Sequence, residues 1–359
     1  MSDYPFLTPA FLSAVEDSGS ATAATGWEPR HLTGADGTLI MPLYVKTHSY
    51  GEYVFDWAWA DAYHRHRLAY YPKLVTAIPF SPITGPRLRR TAGVPPEEVA
   101  AAVLAGVAET AEATGASGWH LLFPDAQTRD LLRGRGLLER TGVQFHWHNR
   151  GYRDFEQFLA GFASRKRKMV RRERSTVAAQ GLRITLREGP EIDAGLWSFF
   201  HRLYQNTYAK RSGNRGYLTR DFFARIGATL AQQIVMAVAH EGSQPVAAAL
   251  YFHDRDTLYG RYWGCVREYE CLHFELCYYQ GIEYAIRRGL ATFDAGAQGE
   301  HKIARGFEPV ETWSLHWIRH PGFAAAIADF LERERAHNRE YMASARALLP
   351  WRKASGPED

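Results

Sequence analysis

The chain is poor in cysteine and has no long apolar run. Only three of its 359 residues are cysteines, and an odd number of thiols favours a reducing compartment over a framework of disulfides. No apolar stretch approaches the length of a membrane span, and residues 1–5 have neither the basic nor the apolar region of a signal peptide. These absences predict a cytoplasmic protein with no transmembrane segment.

The cysteine spacing also argues against a metal site. Cys265, Cys271 and Cys277 are each separated by five residues, and that spacing matches none of the usual zinc patterns. Histidines and carboxylates elsewhere in the chain add no compact set of ligands. We therefore expect no metal and no tightly bound cofactor.

Apolar side chains are abundant enough to fill two cores. Hydrophobic residues make up 46% of the chain and aromatic residues 13%, which also allows stacking surfaces in a cleft. A chain of 359 residues exceeds the usual size of a single core. We predict two domains, residues 1–148 and residues 149–359.

The net positive charge of the chain is concentrated in one short segment. Residues 164–174 contain seven basic residues and one acidic residue, whereas the formal net charge of the whole chain is only +4. The segment lies in a helix predicted over residues 164–180. Its positive charges repel one another, and a bound polyanion would relieve that repulsion. The alternative is a solvated helix face with no partner. The side chains predicted to contact phosphates are Arg167, Lys168, Arg171 and Arg172.

Apolar periodicity and turn residues predict alternating strands and helices. In the first half, strands are predicted over residues 39–45, 73–80 and 119–123, and helices over 95–115 and 125–135. In the second half, strands are predicted over residues 182–186, 234–239, 245–253, 257–264, 291–294 and 313–318. The helices of the second half are predicted over residues 154–180, 197–208, 272–288 and 323–348, with another that begins after residue 218 and is capped by Thr219 or Asp221.

The order of elements in the second half is similar to that of the GNAT acetyltransferase superfamily. A helix, a meander of three strands, a helix, a strand, a loop and a strand follow one another, and an α/β half precedes them. We therefore predict an α/β (α+β) fold of two tandem GNAT-like units. Each unit is expected to have a mixed, largely antiparallel sheet flanked by helices.

Several longer strings resemble the FemAB-like family, whose members are described as peptidoglycan biosynthesis or recognition proteins. These strings are Tyr-Pro-Lys-Leu at residues 71–74, Pro-Phe-Ser-Pro-Ile-Thr-Gly-Pro-Arg at 79–87, Gln-Phe-His-Trp-His-Asn at 144–149, Ser-Arg-Lys-Arg-Lys at 164–168, Leu-Tyr-Gly-Arg-Tyr-Trp-Gly-Cys at 258–265 and Leu-His-Phe-Glu-Leu-Cys-Tyr-Tyr-Gln-Gly at 272–281. The resemblance extends over about residues 5–340. Strings of this length are far more specific than a lone glycine motif.

The resemblance implies an N-acyltransferase or aminoacyltransferase. Fem enzymes move an amino acid from aminoacyl-tRNA to an amine of a cell-wall precursor. Two alternatives stay open, namely an acyl-CoA-dependent N-acyltransferase and a non-catalytic binding protein for a wall precursor or RNA. Residues 265–271 lack the glycines with which GNAT enzymes bind the coenzyme A pyrophosphate, so a standard acetyl-CoA site is disfavoured.

The expected co-substrate is therefore aminoacyl-tRNA or acyl-CoA, and the expected partner is tRNA or a phosphorylated or lipid-linked amine. Peripheral contact with a membrane is left open. The amino acid or acyl group, the acceptor and the oligomeric state are not fixed by the sequence.

A glycine-rich loop at residues 296–307, Gly-Ala-Gln-Gly-Glu-His-Lys-Ile-Ala-Arg-Gly-Phe, follows the strand predicted at 291–294. Ligand crevices of open α/β sheets commonly lie at such strand ends. Glu300 or His301 is predicted to remove a proton from the amine, and Lys302 or Arg261 to hold negative charge that develops in the transition state. An ordinary polar loop is the alternative.

Three further residues complete the predicted catalytic set. Arg261 is the only charge on an otherwise aromatic and apolar strand, so it either faces a cleft or forms a structural ion pair. His273 and Glu275 open the next helix, where His273 is alternatively a cap or a core histidine. We expect Arg261, His273 and Glu275 to share one pocket with Glu300, His301 and Lys302.

Substrate-binding residues are predicted beside this pocket. His146 and His148 alternate with aromatic residues and so share one face of a strand. Besides the cations of the basic helix, the predicted substrate-binding side chains are Tyr262, Trp263, Gln298, Arg305, His146 and His148.

Overall fold

A computed structural model describes residues 4–34, 37–89, 93–297 and 299–352 of the chain. The strands are β1 (Trp27–Pro29), β2 (Leu32–Thr33), β3 (Leu39–Met41), β4 (Tyr44–Lys46), β5 (Lys73–Thr76), β6 (Gly118–Leu122), β7 (Leu138–His148), β8 (Leu182–Glu188), β9 (Ile234–Glu241), β10 (Gln244–His253), β11 (Thr257–Cys265), β12 (Thr292–Asp294) and β13 (Glu308–Ile318). The helices are α1 (Pro9–Asp17), α2 (Trp57–Arg65), α3 (Pro96–Thr114), α4 (Ala126–Leu132), α5 (Phe155–Ala160), α6 (Ser164–Ala179), α7 (Ala194–Ser212), α8 (Arg220–Thr229), α9 (Leu272–Phe274), α10 (Gln280–Arg288) and α11 (Pro321–Ala347).

Within the described residues, one mixed sheet of 11 strands runs through the molecule in the order β1-β4-β5-β6-β13-β7-β12-β11-β10-β9-β8. Its parallel pairs are β5 with β6 and β11 with β12, one in each half of the chain, and its other neighbouring strands are antiparallel. The fold class is therefore the predicted one, a mixed and largely antiparallel sheet flanked by helices.

The last strand of each half pairs with strands of the other half. Strand β13, near the end of the chain, lies between β6 and β7, while β7 pairs on its other side with β12. The sheet is thus continuous where the domain boundary was expected. The division into residues 1–148 and 149–359 stays a prediction.

Helices cover both faces of the sheet. Successive side chains along β9 and β10 show this arrangement, since they enter two different cores. Val238 and Leu250 pack in the core that contains Phe222 of α8. Ala237 and Ala249 pack in the core that contains residues of α5, α6 and α10. Successive strand residues point to opposite faces, so a two-sided apolar pattern is what a buried sheet requires.

Helix and strand positions largely follow the sequence prediction, with three differences. The helix predicted over residues 154–180 is two helices, α5 and α6, because Ala163 leaves the helical path and its N–H donates to Pro350 O at 2.8 Å. The helix predicted over 272–288 contains a π-helical turn at Glu275–Tyr279, and Pro42 separates β3 from β4. The predicted cap at Thr219 is present, since its side chain accepts from Phe222 N.

In the part of the chain that the structure describes, no helix has the length and apolar character needed to span a membrane.

Candidate active site

A cleft of about 640 Å³ opens where β11 and β12 diverge. The two strands run parallel as far as the pair Tyr259 and Asp294, after which β12 ends and β11 continues to Cys265. The cleft is lined by residues from β10, β11, α7, the helical segment after β11 and the glycine-rich loop, together with Tyr53 and Pro82 from the first half of the chain. The divergence of a parallel strand pair leaves room for a ligand at the carboxyl end of β12.

Five of the predicted site residues line this cleft. Arg261, His273 and His301 belong to the predicted catalytic set, and Tyr262 and Trp263 to the predicted substrate-binding set. The expected convergence of the central strand, the helix start and the glycine-rich loop is therefore present for these side chains. Gln298, another predicted contact, lies outside the described residues.

His301 is held at the mouth of the cleft by its neighbours. Its Nε2 lies 2.7 Å from Tyr278 Oη, and its carbonyl oxygen accepts from Arg305 Nη1 at 2.7 Å. Gly299 has φ of 115°, and a Cβ there would approach the His301 ring to 2.4 Å, so only glycine fits before this imidazole. Burial, followed by the charges of Arg305 and Lys302, lowers the pKa of His301, which therefore favours the neutral, proton-accepting form.

His273 forms part of the wall beside His301. Its ring centroid lies 4.9 Å from that of Trp263 and 5.9 Å from that of His301. Burial, with added contributions from His301 and Arg211, lowers the pKa of His273 to about 3. A neutral imidazole among aromatic rings suits packing and substrate contact better than a role as a cation.

Arg261 presents a guanidinium to the cleft. Its Nη2 donates to Phe80 O at 3.4 Å, whereas its Nε is buried without a hydrogen-bond partner. Its guanidinium lies 5.2 Å from the centre of the Tyr262 ring. Among the described residues it forms no ion pair with a carboxylate. The structural alternative, a buried ion pair, is therefore not what the structure contains, and the charge is available to an anionic or polarised ligand group.

Lys302 lies beneath the cleft instead of in its lining. Its side chain is buried, and its Nζ donates to the carbonyl oxygen of Gly296 in the cleft wall. Burial lowers the pKa of Lys302 to about 8, an effect that the nearby Asp294 carboxylate opposes. Asp294 in turn accepts from Gly296 N at 2.8 Å. Lys302 and Asp294 therefore shape the start of the glycine-rich loop from below.

Two predicted carboxylates are elsewhere. Glu275 is buried against the basic helix, where Arg174 holds it with Nε–Oε2 and Nη2–Oε1 distances of 3.1 and 3.0 Å. Glu275 follows His273 by two residues in one helical segment, so the two side chains leave the axis about 200° apart. Glu300 is exposed and accepts from Tyr341 Oη at 2.8 Å. The expectation that both carboxylates line the pocket with His301 is not met.

Three predicted substrate contacts also lie outside the cleft lining. Arg305 binds Glu173 on α6 at 2.5 Å and lies 3.5 Å from the centre of the Phe274 ring, so it braces the loop. His146 Nε2 lies 3.7 Å from Asp294 Oδ2, and burial lowers the pKa of His146. His148 pairs in register with Thr292, two residue pairs further along β7.

The basic helix α6 divides into an anchored face and an exposed face. Arg174 pairs with Glu275 and Glu283, and Arg171 pairs with Glu156 at 2.5 Å. Arg167 is half-buried and donates to Phe162 O at 3.4 Å. The exposed cations for which the described residues offer no ion pair are Arg165, Lys168 and Arg172.

Several cleft residues have only a weak signal in the sequence. Tyr204, Tyr208 and Arg211 line the cleft from α7, and their helical spacing marks one face without saying what it meets. Tyr53 reaches the cleft from far away in the chain, and its Oη lies 3.2 Å from Tyr208 Oη. Cys277 also lines the cleft, but burial raises the pKa of its thiol, which disfavours a reactive thiolate.

Among the residues that the structure describes, no three His, Cys, Asp or Glu side chains are grouped closely enough to hold a metal ion.

Comparison with known proteins gives a family and a fold. A family model named FemAB-like, peptidoglycan biosynthesis/recognition, matches residues 1–353. No curated protein matches the chain.

Solved structures with the same fold cover most of the chain at low sequence identity. L-PGS from Bacillus licheniformis has a TM-score of 0.52 and 13% identity, covering 98% of this chain and 98% of its own. FemX has a TM-score of 0.51 and 13% identity, with coverages of 86% and 91%. The C-terminal domain of a putative lysylphosphatidylglycerol synthetase from Agrobacterium fabrum has a TM-score of 0.51 and 12% identity, with coverages of 89% and 97%. At these identities the likeness concerns the fold alone.

Proposed function

Because the chain belongs to the FemAB-like family of peptidoglycan biosynthesis and recognition proteins, we propose that it is a transferase that moves an acyl or aminoacyl group onto an amine. The observation that carries the proposal is the cleft between β11 and β12, into which Arg261, His273 and His301 project together. A neutral imidazole can accept the proton that the amine loses, and a guanidinium without a carboxylate partner can stabilise negative charge on the carbonyl oxygen.

In the proposed reaction the amine nitrogen attacks the donor carbonyl. A carbon–nitrogen bond forms, and the ester or thioester bond to the donor breaks. His301 accepts the proton that the nitrogen loses and returns it to the leaving oxygen or sulfur. Its lowered pKa supports this role, because the ring is neutral before the attack.

Arg261 is assigned to the negative charge that develops on the carbonyl oxygen. The guanidinium belongs to the cleft lining and lacks a carboxylate partner among the described residues. Electrostatic stabilisation of this kind contributes roughly a hundredfold or more to the rate in a water-excluded site. His273 and Trp263 then supply the wall against which the acyl or aminoacyl group lies.

An aminoacyl-tRNA donor is favoured over acyl-CoA. The seven residues from Cys265 to Cys271 contain no glycine, unlike the turn with which GNAT enzymes bind the coenzyme A pyrophosphate. Helix α6, with exposed Arg165, Lys168 and Arg172, offers a surface for a polyanion. Two ion pairs, Arg174–Glu275 and Glu173–Arg305, tie this helix to the segments that carry His273 and His301.

The test is a transfer assay with purified protein. Aminoacyl-tRNA labelled in the amino acid, and separately a panel of labelled acyl-CoA thioesters, are incubated with peptidoglycan precursor peptides that carry a free amine. The expected product is a labelled amide, which survives the mild base that hydrolyses the ester of charged tRNA. Arg261→Met should abolish most of the transfer, and Arg261→Lys should retain more of it.

Two other results would change the assigned donor or the assigned function. Transfer from thioesters alone would replace the proposed donor with acyl-CoA. Precursor binding without transfer from either donor would identify a non-catalytic binding protein and contradict the proposal.

A further inference from the structure

Large apolar side chains that remain exposed are concentrated in one short stretch of the first half. Among the described residues, Tyr50, Phe55, Trp57 and Leu68 are 56%, 59%, 42% and 41% exposed. The other strongly exposed large apolar side chains, Val266, Phe330 and Leu348, lie far from this stretch in sequence. Scattered exposed residues need no explanation, whereas a cluster indicates a contact surface. We call residues 50–68 the aromatic surface.

The aromatic surface rests on a rigid support. Trp57 opens α2, and its ring lies 5.2 Å from that of Tyr50. The opposite side of α2 is buried, because Trp59 and Tyr63 pack with Ile327 of α11 in one apolar cluster. Trp57 is therefore held outward by a packed helix, and Tyr50 packs against its ring.

Along the same stretch, most acidic side chains are buried, whereas the arginine side chains are exposed. Glu52 and Asp56 are buried, and both bind Lys73 inside the protein. Arg65 and Arg67 are exposed at the end of α2. Asp61 is exposed as well, but Arg65 pairs with it at 3.0 Å. The surface thus combines exposed aromatic rings with exposed cations, while two of its three carboxylates are withdrawn from solvent.

From this combination we propose that the aromatic surface docks on the interface of an anionic phospholipid bilayer. Tryptophan and tyrosine favour the boundary between headgroups and acyl chains, where an apolar ring and a polar edge are both accommodated. The arginine side chains at the other end of α2 are of the kind that anionic headgroups attract. A soluble polyanion would use the cations but would leave Phe55 and Trp57 in water.

The aromatic surface also adjoins the interior of the protein. Phe55 and Tyr53 line a second cavity of about 210 Å³, and Tyr53 lines the main cleft as well. A lipid-linked amine that enters at the bilayer would therefore meet the cavities beside Tyr53. That route rests on the proposed transferase function, whereas the docking itself does not.

The test is co-sedimentation of the full chain with vesicles of phosphatidylcholine mixed with phosphatidylglycerol at about three to one. We expect binding to these vesicles, weaker binding to pure phosphatidylcholine, and a loss of at least about tenfold in affinity for Tyr50→Ser combined with Phe55→Ser. Trp57→Ser alone should also weaken binding. Leu348→Ser, at a site that is 64% exposed, is the matched control and should bind like the unchanged protein.

Three outcomes would overturn the proposal. The first is that the unchanged protein does not sediment with the anionic vesicles. The second is that the serine variants have the melting temperature of the unchanged protein and sediment equally well. The third is that only charge reversal at Lys168 and Arg172 abolishes binding. A dimer in solution that the serine variants dissociate would assign the surface to a second copy of the chain instead. Vesicle binding without transferase activity would leave the docking proposal intact and contradict only the proposed function.

Discussion

Tyr278 Oη and His301 Nε2 lie 2.7 Å apart, which joins the helical segment after β11 to the glycine-rich loop within one wall of the cleft. The pair fixes the orientation of the imidazole. When Nε2–H donates to the phenol oxygen, Nδ1 keeps a lone pair for a substrate proton. The hydroxyl of Tyr278 therefore acts on the proposed reaction through the tautomer of His301.

His301→Ala is expected to lower kcat by roughly 10²–10⁴, because the proton acceptor is lost. Tyr278→Phe should have a smaller effect, since the imidazole remains but its orientation is less restrained. In the unchanged protein, kcat should be highest where His301 is neutral and should fall as the pH drops through its lowered pKa. The acid limb of the pH–rate profile is thus expected below the ordinary range for histidine. A limb that persists in His301→Ala would assign it to another group.

Glu275→Gln is expected to destabilise the protein, because the variant weakens a buried, doubly bonded contact with Arg174. Hydrogen bonds between charged groups contribute roughly 1.5–3 kcal/mol, and Glu283 still pairs with Arg174, so the loss should fall at the lower end. Urea unfolding measures it. Glu300→Gln is the control, since that carboxylate is exposed and should barely change the midpoint. Equal stability of the two variants, with transfer lost only in Glu275→Gln, would restore the catalytic assignment of Glu275.

Local signals in the sequence predicted the elements that carry the cleft. Apolar runs bounded by turn residues indicated β9 to β11, and glycines marked helix ends such as Gly289, whose φ is 66°. The position of Arg261 on an otherwise apolar strand indicated a side chain that faces a cleft, because one charge among buried strand residues requires a special environment. These arguments depend on residues close together in sequence.

Long-range relationships were not predictable in this way. The insertion of β13 between β6 and β7 depends on pairing between distant segments, which no periodicity encodes. Glu275 was misplaced for another reason, since side chains two positions apart in a helix leave it on opposite sides, and its partner Arg174 lies 101 residues earlier in the chain. Tyr53 reaches the cleft from the first half of the chain, so its contribution becomes visible only in three dimensions.

Charge reversal on the exposed face of α6 is expected to weaken polyanion binding. Lys168→Glu combined with Arg172→Glu should reduce affinity for tRNA and make its dependence on salt less steep, because fewer counterions are released on binding. Arg183→Glu combined with Arg255→Glu changes the net charge equally at two other exposed sites and serves as the control. Similar losses in both double variants would point to net charge alone, and no loss in either would leave α6 a solvated helix.

A buried histidine pair makes stability depend on pH. His120 and His316 face each other across β6 and β13, with 2.6 Å between their Nδ1 atoms, so one of these nitrogens must donate and the other accept. Tyr70 Oη donates to Asp56 at 2.5 Å, and it also lies 3.3 Å from His120 Nε2. With that phenol hydrogen committed to Asp56, His120 Nε2–H donates to the phenol oxygen, and the hydrogen between the rings belongs to His316.

Protonation of His120 at Nδ1 would place two N–H donors face to face, and protonation of His316 at Nε2 would leave a buried charge beside Ser314. Burial, with Lys73 as the next contribution, lowers the pKa of His120 to about 3, and burial also lowers the pKa of His316 well below its ordinary value. Both folded-state pKa values lie below those of the unfolded chain. The stabilisation is therefore fully present above the ordinary histidine pKa and is lost as the pH falls towards the folded-state values.

We expect the free energy of unfolding to decrease by roughly 3 kcal/mol from His120 between about pH 7 and pH 4, with a further decrease from His316. Urea unfolding across this range measures the decrease. His120→Asn combined with His316→Asn cannot take up these protons, so its stability should be lower near pH 7 but should change less with pH. Burial raises the pKa of Glu52 to about 7, so Glu52 makes the folded protein more stable as the pH falls. Both proteins contain Glu52, and the comparison between them therefore removes its contribution. Parallel pH dependences in the two proteins would show that the histidine pair is not the group that responds to acid.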